Sequence, residues 1–234
     1  MPARTMILSH CWGGEMAYLS RIHLDPLRPE GQKLLDSPQV MHAAVLGGLS
    51  VQPATERVLW RLEESRDACH VLVQTESLPS WDALVDAAGV RKQNLPSYRT
   101  ADMGILLDRI ATEAEFAFRL RVNPTAAVPT PHKRGARVGH RTADAQLGWF
   151  LERASGGQSR WGFSVDISGE PRVTLVAREP VWFFKAGHRV SFATATFAGR
   201  LVVTDPELFR EHLLGGIGPA KAYGCGLLTL APVG

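Results

Sequence analysis

The sequence has few cysteines and no long apolar run. Its three cysteines (Cys11, Cys69 and Cys225) are far apart and form no CxxC pair, which argues against a disulfide framework or a zinc ribbon. No apolar run approaches the roughly 20 residues that a membrane-spanning helix needs. Residues 1–15 also lack the apolar core and the small-residue cleavage site of a signal peptide. We therefore expect a protein of the reducing cytoplasm that has no membrane partner.

Ligand-binding signatures of two common kinds are missing as well. None of the eight histidines belongs to an H-x-x-x-H or H-x-H pair, so we expect no metal site. The glycines near the C-terminus follow neither G-x-G-x-x-G after a strand nor G-x-x-x-x-G-K-[ST]. A nucleotide-binding P-loop is therefore a poor fit, and we expect no cofactor.

The composition is that of a globular protein, with an uneven distribution of charge. Hydrophobic residues make up 45% and charged residues 21% of the 234 residues. Residues 1–110 contain 11 Lys or Arg and 13 Asp or Glu, whereas residues 111–234 contain 15 and 10. A polyanion would therefore meet the second half of the chain first.

Hydrophobic periodicity predicts six elements in the first half. An alternating strand begins at Ala17, and Ser37-Pro38 is typical of a helix start. Two further strands are predicted at 57–63 and 70–75, then a short helix capped by Ser80 and ended by Gly89, then a weaker apolar segment at 99–107. The order β-α-β-β-α-β is that of a ferredoxin-like unit.

The second half repeats that order with additional strands. The pattern predicts a strand at Glu115–Val122, a loop at 123–141, and helices that begin after Thr142 and Asp205. Five strand-like segments between 162 and 204 exceed what one such unit needs, so we expect an extra hairpin there. The predicted fold is α+β, with two tandem ferredoxin-like βαββαβ domains at 16–110 and 111–234. Residues 1–15 are predicted to be a disordered extension.

The first candidate site is the glycine-rich segment 215–226, GGIGPAKAYGCG. Free N–H groups in such a loop can bind an anion, and Lys221 adds a positive charge. A purely structural turn is the alternative.

A second candidate is the segment between Glu115 and Asp144, which contains no acidic residue. Its cations are Arg119, Arg121, Lys133, Arg134, Arg137 and Arg141. This pattern favours contacts with phosphates, which provide affinity rather than base recognition. A solvated loop with a chance bias of charge is the alternative.

The third candidate is His42, in the first turns of the helix that begins at Pro38. A helix N-terminus favours negative charge, and a histidine there can transfer protons near neutral pH. The alternative is a partly buried structural histidine.

These motifs together resemble the CasE family, the endoribonucleases that process CRISPR repeats in type I-E systems. The resemblance depends on GGIGPAKAYGCGLLTLAP at 215–232 and on upstream blocks in the same order: AYLSRIHL, MH, LWRLE, HVLVQT, FRLRVNP, HKR and WFLER. It extends from about Met16 to the C-terminus.

The resemblance implies two tandem RRM-like domains and a metal-independent ribonuclease. Such an enzyme cuts the precursor RNA 3′ of the repeat stem-loop by attack of the RNA 2′-OH, leaving 2′,3′-cyclic phosphate and 5′-OH ends. It then keeps the hairpin as a subunit of Cascade. The implied partners are the CRISPR repeat stem-loop RNA and other Cascade subunits.

The family's catalytic histidine corresponds to His42, and its RNA-contacting loop to the glycine segment with Gly216, Gly218, Lys221 and Gly224. Its basic pair corresponds to Lys133 and Arg134, and we extend the RNA-binding surface to Arg137 and Arg141. A tyrosine that assists catalysis in some members is replaced here by Gln39, whose role is doubtful, and Ala43 follows the histidine. These departures leave two other interpretations open: a hairpin-binding Cascade subunit without cleavage, and a general double-RRM RNA-binding protein.

Overall fold

The structure, a computed structural model, describes residues 16–50, 55–65, 68–90, 96–130, 133–156 and 159–233. For residues 128–130 and 133–136 it describes the backbone alone. The predicted disordered extension, residues 1–15, lies outside the described residues.

The first half of the chain forms a four-stranded antiparallel sheet with three of its four helices packed on one face. Its elements are β1 (Tyr18–Leu24), α1 (Pro29–Asp36), α2 (Pro38–Leu46), β2 (Leu59–Glu64), β3 (Cys69–Thr75), α3 (Asp82–Ala88), β4 (Tyr98–Asp102) and α4 (Gly104–Asp108). The strand order is β2-β3-β1-β4. Side chains of β1 and β3 alternate, so Ile22 and Val71 point into a core with Met41 and Trp81.

Most first-half predictions are confirmed, with three corrections. Helix α1 was not predicted. Helix α4 was not predicted either, because the predicted strand in the segment 99–107 ends at Asp102. The predicted Ser80 cap is wrong, because α3 begins at Asp82 behind Trp81, which makes no side-chain cap. Instead, the Ser80 hydroxyl donates to the Asp82 carboxylate across 2.9 Å. The helix does end at Gly89, as predicted.

The second half forms a second sheet with the same topology. Its elements are β5 (Glu115–Val122), β6 (Thr125–Thr130), β7 (Lys133–Gly139), α5 (Ala143–Ala154), β8 (Phe163–Ser164), β9 (Asp166–Ile167), β10 (Glu170–Pro171), β11 (Val173–Lys185), β12 (His188–Val203), α6 (Pro206–Gly215), the 3₁₀ turn Lys221–Tyr223 and β13 (Leu228–Pro232). The order β11-β12-β5-β13 repeats that of the first sheet. The core lies between this sheet and α5 and α6, around Phe150, Phe197 and Phe209.

The extra hairpin predicted between 162 and 204 is confirmed, because β9 and β10 pair antiparallel there. A second hairpin was not predicted. The predicted loop at 123–141 is wrong: β6 and β7 pair there as a hairpin whose register shifts between Val128 and Thr130. Pro129 falls at that irregularity, where a missing N–H is tolerated. Conversely, the predicted separate strands between 173 and 204 are two long strands, β11 and β12. Pro180 does not interrupt β11 because this strand is at the edge of its sheet.

The two sheets are joined by buried polar contacts. Arg61, on β2, is only 2% exposed. Its guanidinium donates to the carbonyls of Arg119 (2.9 Å) and Leu227 (2.8 Å). The Gln74 amide donates to the carbonyls of Leu213 and Leu214. These contacts hold the C-terminal segment against the first sheet. The exact domain boundary at 110/111 stays a prediction, although the strands of each sheet lie on either side of it.

Candidate functional site

Helix α2 holds His42 at a fixed position. The Ser37 hydroxyl accepts from the backbone N–H of Val40, and Pro38 occupies the first turn, as predicted from the sequence. Met41 and Val45 are 1% and 0% exposed, so they fix the rotation of the helix about its axis. His42 follows Met41 and is therefore partly buried at the edge of the packed stripe.

The surroundings of His42 favour the neutral form of its imidazole. Among the described residues, none forms a hydrogen bond with its buried Nδ1 atom. Burial lowers the pKa of His42, and the positive charge of Lys185 lowers it further. The neutral form, which can accept a proton, therefore predominates at neutral pH.

Lys185 and Tyr223 complete a cluster around His42. Lys185 is at the end of β11, and its Nζ atom donates to the Tyr223 hydroxyl across 3.2 Å. The Tyr223 ring is packed against Phe183, with ring centroids 4.6 Å apart. Because α2 packs against both β11 and the 3₁₀ turn that carries Tyr223, three separate segments of the chain meet here.

Sequence reasoning missed both of these partners. Tyr223 lies inside the glycine segment but was not predicted to be a site residue. Lys185 follows three aromatic residues in the run WFFK, which gives no signal of its own. Gln39 is exposed in the first turn of α2, three residues before His42 and hence on the same side of the helix.

The glycine-rich segment is a tightly packed turn rather than an open anion-binding loop. Gly216 and Gly224 have φ angles of +77° and +80° and are both buried. A Cβ atom on Gly216 would lie 2.6 Å from the Leu59 side chain, and one on Gly224 would lie 2.9 Å from the Trp60 ring. These two glycines therefore allow the segment to lie against β2. Gly218 is exposed and is open to a ligand.

The Lys221 ammonium is tied to the same segment. Its Nζ atom donates to the carbonyl of Gly215 across 2.7 Å. Burial lowers the pKa of Lys221, and the nearby charge of Arg57 lowers it further. Lys221 therefore stabilises the turn through this hydrogen bond. Its contact with RNA stays a prediction.

An arginine-rich cleft of about 1040 Å³ lies between the β6–β7 and β11–β12 hairpins. Its lining includes Arg137, Arg141, Arg178 and Arg189. The Arg178 guanidinium donates to the Gln146 side chain across 2.8 Å and to the carbonyl of Arg141. Sequence reasoning found Arg137 and Arg141 but missed Arg178 and Arg189, which are about 40 to 50 residues further along the chain. The side chains of Lys133 and Arg134, at the start of β7, lie outside the described residues.

A second cleft, of about 830 Å³, lies on the other side of β11. It is bounded by Ser37 and Pro38 at the start of α2, by β2 and by Tyr223. The segment 179–182 of β11 lines both clefts and forms the ridge between them. Through Tyr223 the His42 cluster thus adjoins the second cleft, which shares residues 179–182 with the arginine-rich cleft.

Comparison with known proteins shows the family to which the chain belongs. The family model described as "CRISPR associated protein" matches residues 17–232. The chain belongs to this family. The CRISPR-associated endoribonuclease Cse3 of Thermus thermophilus is 30% identical over 227 residues, which cover 92% of this chain and all of Cse3. The Cascade subunit CasE of Escherichia coli K12 is 26% identical over 175 residues, 71% of this chain and 76% of CasE.

A solved family structure confirms the fold. Thermus thermophilus Cse3 bound to an RNA that represents a pre-cleavage complex superposes with a TM-score of 0.74 at 28% identity, covering 93% of this chain and 100% of the other. The predicted α+β fold with two tandem ferredoxin-like domains is therefore confirmed. Within the described part of the chain, no helix has the length and apolar character needed to cross a membrane.

Proposed function

We propose that this CRISPR-associated protein is a metal-independent endoribonuclease that cleaves CRISPR precursor RNA at the 3′ base of the repeat stem-loop. The reaction is attack by the RNA 2′-OH, which gives 2′,3′-cyclic phosphate and 5′-OH ends. The observation that carries the proposal is the partly buried His42 imidazole beside the Lys185 ammonium. Tyr223, which accepts a hydrogen bond from Lys185, lines a cleft that shares residues 179–182 with the arginine-rich cleft. A relative with full-length coverage is named an endoribonuclease, which supports the same assignment.

The chemistry follows from the protonation state of His42. The neutral imidazole takes the proton of the 2′-OH, the 2′-oxygen forms a bond to phosphorus, and the bond from phosphorus to the 5′-oxygen breaks. General base catalysis of this kind contributes about 10²–10⁴ in rate. The Tyr223 hydroxyl, held by Lys185, is the candidate donor of a proton to the departing 5′-oxygen.

Lys185 supplies the positive charge that α2 itself lacks. Gln39 and Ala43 leave the helix without a cation or a phenol next to His42. An ammonium group beside the reacting phosphate stabilises the charge that develops on its oxygens in the transition state. In this proposal, Lys185 and Tyr223 replace groups that other family members place on the helix.

The RNA stem binds mainly through its phosphates. An A-form duplex hides its base edges in a deep, narrow groove, so contacts with the backbone dominate recognition. Arg137, Arg141, Arg178 and Arg189 line a cleft between two hairpins, and the proposal adds Lys133 and Arg134 to this surface. The exposed Gly218 is the position of the glycine segment best placed to approach the RNA backbone, while Gly216, Gly224 and Lys221 hold the segment in shape.

The product complex is the functional form after cleavage. We propose that the protein keeps the hairpin and serves as a Cascade subunit in the cytoplasm, as the name of the Escherichia coli relative suggests. The two described cysteines, Cys69 and Cys225, are free and buried. Burial raises the pKa of the Cys225 thiol to about 12, which keeps it protonated and unreactive.

The test is cleavage of the cognate repeat RNA by the wild-type protein and by His42→Ala. We expect the variant to lose cleavage and to bind the hairpin within several-fold of wild type. Cleavage should continue in EDTA and fail when the nucleotide before the cut is 2′-deoxy. Cleavage by His42→Ala at the wild-type rate would remove the catalytic assignment. Binding without cleavage by the wild-type protein would instead favour a hairpin-binding Cascade subunit, an alternative that the replacement by Gln39 and Ala43 keeps open.

A further inference from the structure

The end of the edge strand β11 carries two large aromatic side chains that are not packed into the core. Trp182 is 58% exposed and Phe184 is 65% exposed. Side chains alternate along a strand, so these two lie on the same face of the β11–β12 hairpin. Phe183, between them, is 5% exposed and contacts Tyr223 on the opposite face. The two exposed rings therefore contribute neither to the core nor to the aromatic packing around Tyr223.

This aromatic face is positively charged. The Arg189 guanidinium lies 5.4 Å from the centre of the Trp182 ring, and Arg189 pairs with Phe184 in the register of the hairpin. The arginine-rich cleft includes Trp182 and Arg189 in its lining. The nearby carboxylate of Glu179 is paired with Arg121 across 2.8 Å, which offsets its negative charge. The charge of this face thus complements a polyanion.

The face is also continuous with the proposed reaction site. Trp182 is on the ridge that lines both clefts. Lys185, one residue after Phe184, donates to Tyr223 on the His42 side of the hairpin. An RNA strand that passes His42 therefore meets the end of β11, and the exposed rings lie just across it.

We propose that Trp182, Phe184 and Arg189 form a stacking subsite for unpaired bases of the RNA that flank the stem. This inference rests on the proposed function, since it takes a hairpin RNA as the ligand. Bases within the stem expose no ring face, whereas unpaired bases can stack on aromatic side chains and on arginine planes. The subsite would hold the flanking nucleotides irrespective of their sequence, because every base has a face to stack. Its effect on the reaction is to fix the strand on one side of the cleaved phosphate.

The experiment measures binding of two RNAs in the non-cleaving His42→Ala background. One RNA is the stem-loop with unpaired flanking nucleotides, and the other is the stem-loop alone. We expect Trp182→Ala with Phe184→Ala to weaken binding of the flanked RNA by about 5- to 100-fold and that of the bare stem-loop by less than about twofold. Trp182→Phe with Phe184→Tyr keeps the rings and should restore binding. Ile105→Ala, which removes a 75% exposed apolar side chain elsewhere, should leave both affinities unchanged.

A fluorescent base gives an independent measurement. With 2-aminopurine as the first unpaired nucleotide, stacking on Trp182 should quench its emission in the complex, and the double alanine variant should abolish the quenching. Equal affinities of the double variant and the parent for the flanked RNA would overturn the subsite, as would an equal loss for both RNAs. A role of this face in binding a protein subunit would give the first of these results. Failure of the wild-type protein to bind either RNA would overturn the proposed function itself, which is a different outcome.

Discussion

The ammonium group of Lys185 donates a hydrogen bond to the phenol oxygen of Tyr223, 38 residues further along the chain, across 3.2 Å. One residue ends the long edge strand β11 and the other lies in the glycine-rich segment. Their pairing brings a cation and a hydroxyl to the helix that carries His42. The three groups make up a set that can accept a proton, donate a proton and stabilise negative charge.

Lys185→Met tests the electrostatic part of this set. Loss of the ammonium should lower the single-turnover cleavage rate by about 10- to 1000-fold, since one donor aimed at developing charge has an effect of this order. It should also raise the pKa of His42, because Lys185 is one of the two causes that lower it. The rate falls as pH drops through the pKa of the base, so this acid limb should move to higher pH. A pH–rate profile checks both effects.

Lys33→Met is the matched control for that measurement. Lys33 is an exposed cation whose ion pair is with Glu30 on the same helix. We expect its removal to leave the profile unchanged. A Lys185→Met profile that coincides with the wild-type profile would show that this cation does not act on the reaction.

Arg137→Ala with Arg141→Ala tests the cleft as a phosphate-binding surface. Each phosphate contact contributes about one unit to the slope of log K against log salt concentration. We expect the double variant to bind the hairpin more weakly and to reduce this slope by about two. Lys133→Ala with Arg134→Ala should act in the same direction. Arg99→Ala, which removes an exposed cation on β4, is the control and should leave the slope unchanged. If the double variant has the same slope as this control, the cleft is not part of the interface.

Gly224→Ala tests the packing of the glycine-rich segment. A Cβ atom there would lie 2.9 Å from the Trp60 ring, in a backbone conformation with φ of +80°. We expect a loss of about 2–4 kcal/mol in the free energy of unfolding and a melting temperature lower by roughly 2–4 °C per kcal/mol. Gly148→Ala is the contrasting control, because that glycine is inside α5 with nothing within 4 Å of the added atom. It should stabilise the protein by up to about 1 kcal/mol.

Arg61→Met tests the polar connection between the two sheets. The substitution removes the guanidinium donor from the carbonyls of Leu227 and Arg119 in a buried site. The Arg119 carbonyl keeps the Thr229 hydroxyl, at 3.2 Å, as a donor. We expect a loss of about 2–4 kcal/mol, measured by urea unfolding. An unfolding free energy equal to that of the wild-type protein would mean that the remaining contacts are sufficient to hold the sheets together.

Particular residues show where the sequence suffices. Local patterns predicted α2 with its Ser37 cap, the strand Glu115–Val122 and the helix behind Asp205, and the structure confirms all three. The prolines in 123–141 were interpreted as a loop, yet β6 and β7 form there, since a bulge accommodates Pro129. In the same region of the sheet, separate strands were predicted between 173 and 204, yet β11 continues through Pro180 at the edge of the sheet.

The sequence by itself determined the repeated βαββαβ order, the family and the candidate catalytic histidine, because these depend on local periodicity and on motifs of contiguous residues. Only the tertiary structure decided which groups stand beside His42. Lys185 and Tyr223 have no signal in the chain, since an edge strand and a turn bring them together only when both sheets have formed. Tertiary packing also decided why two positions in the C-terminal segment must be glycine. Gly216 and Gly224 are required by the side chains of Leu59 and Trp60, about 160 residues earlier in the chain.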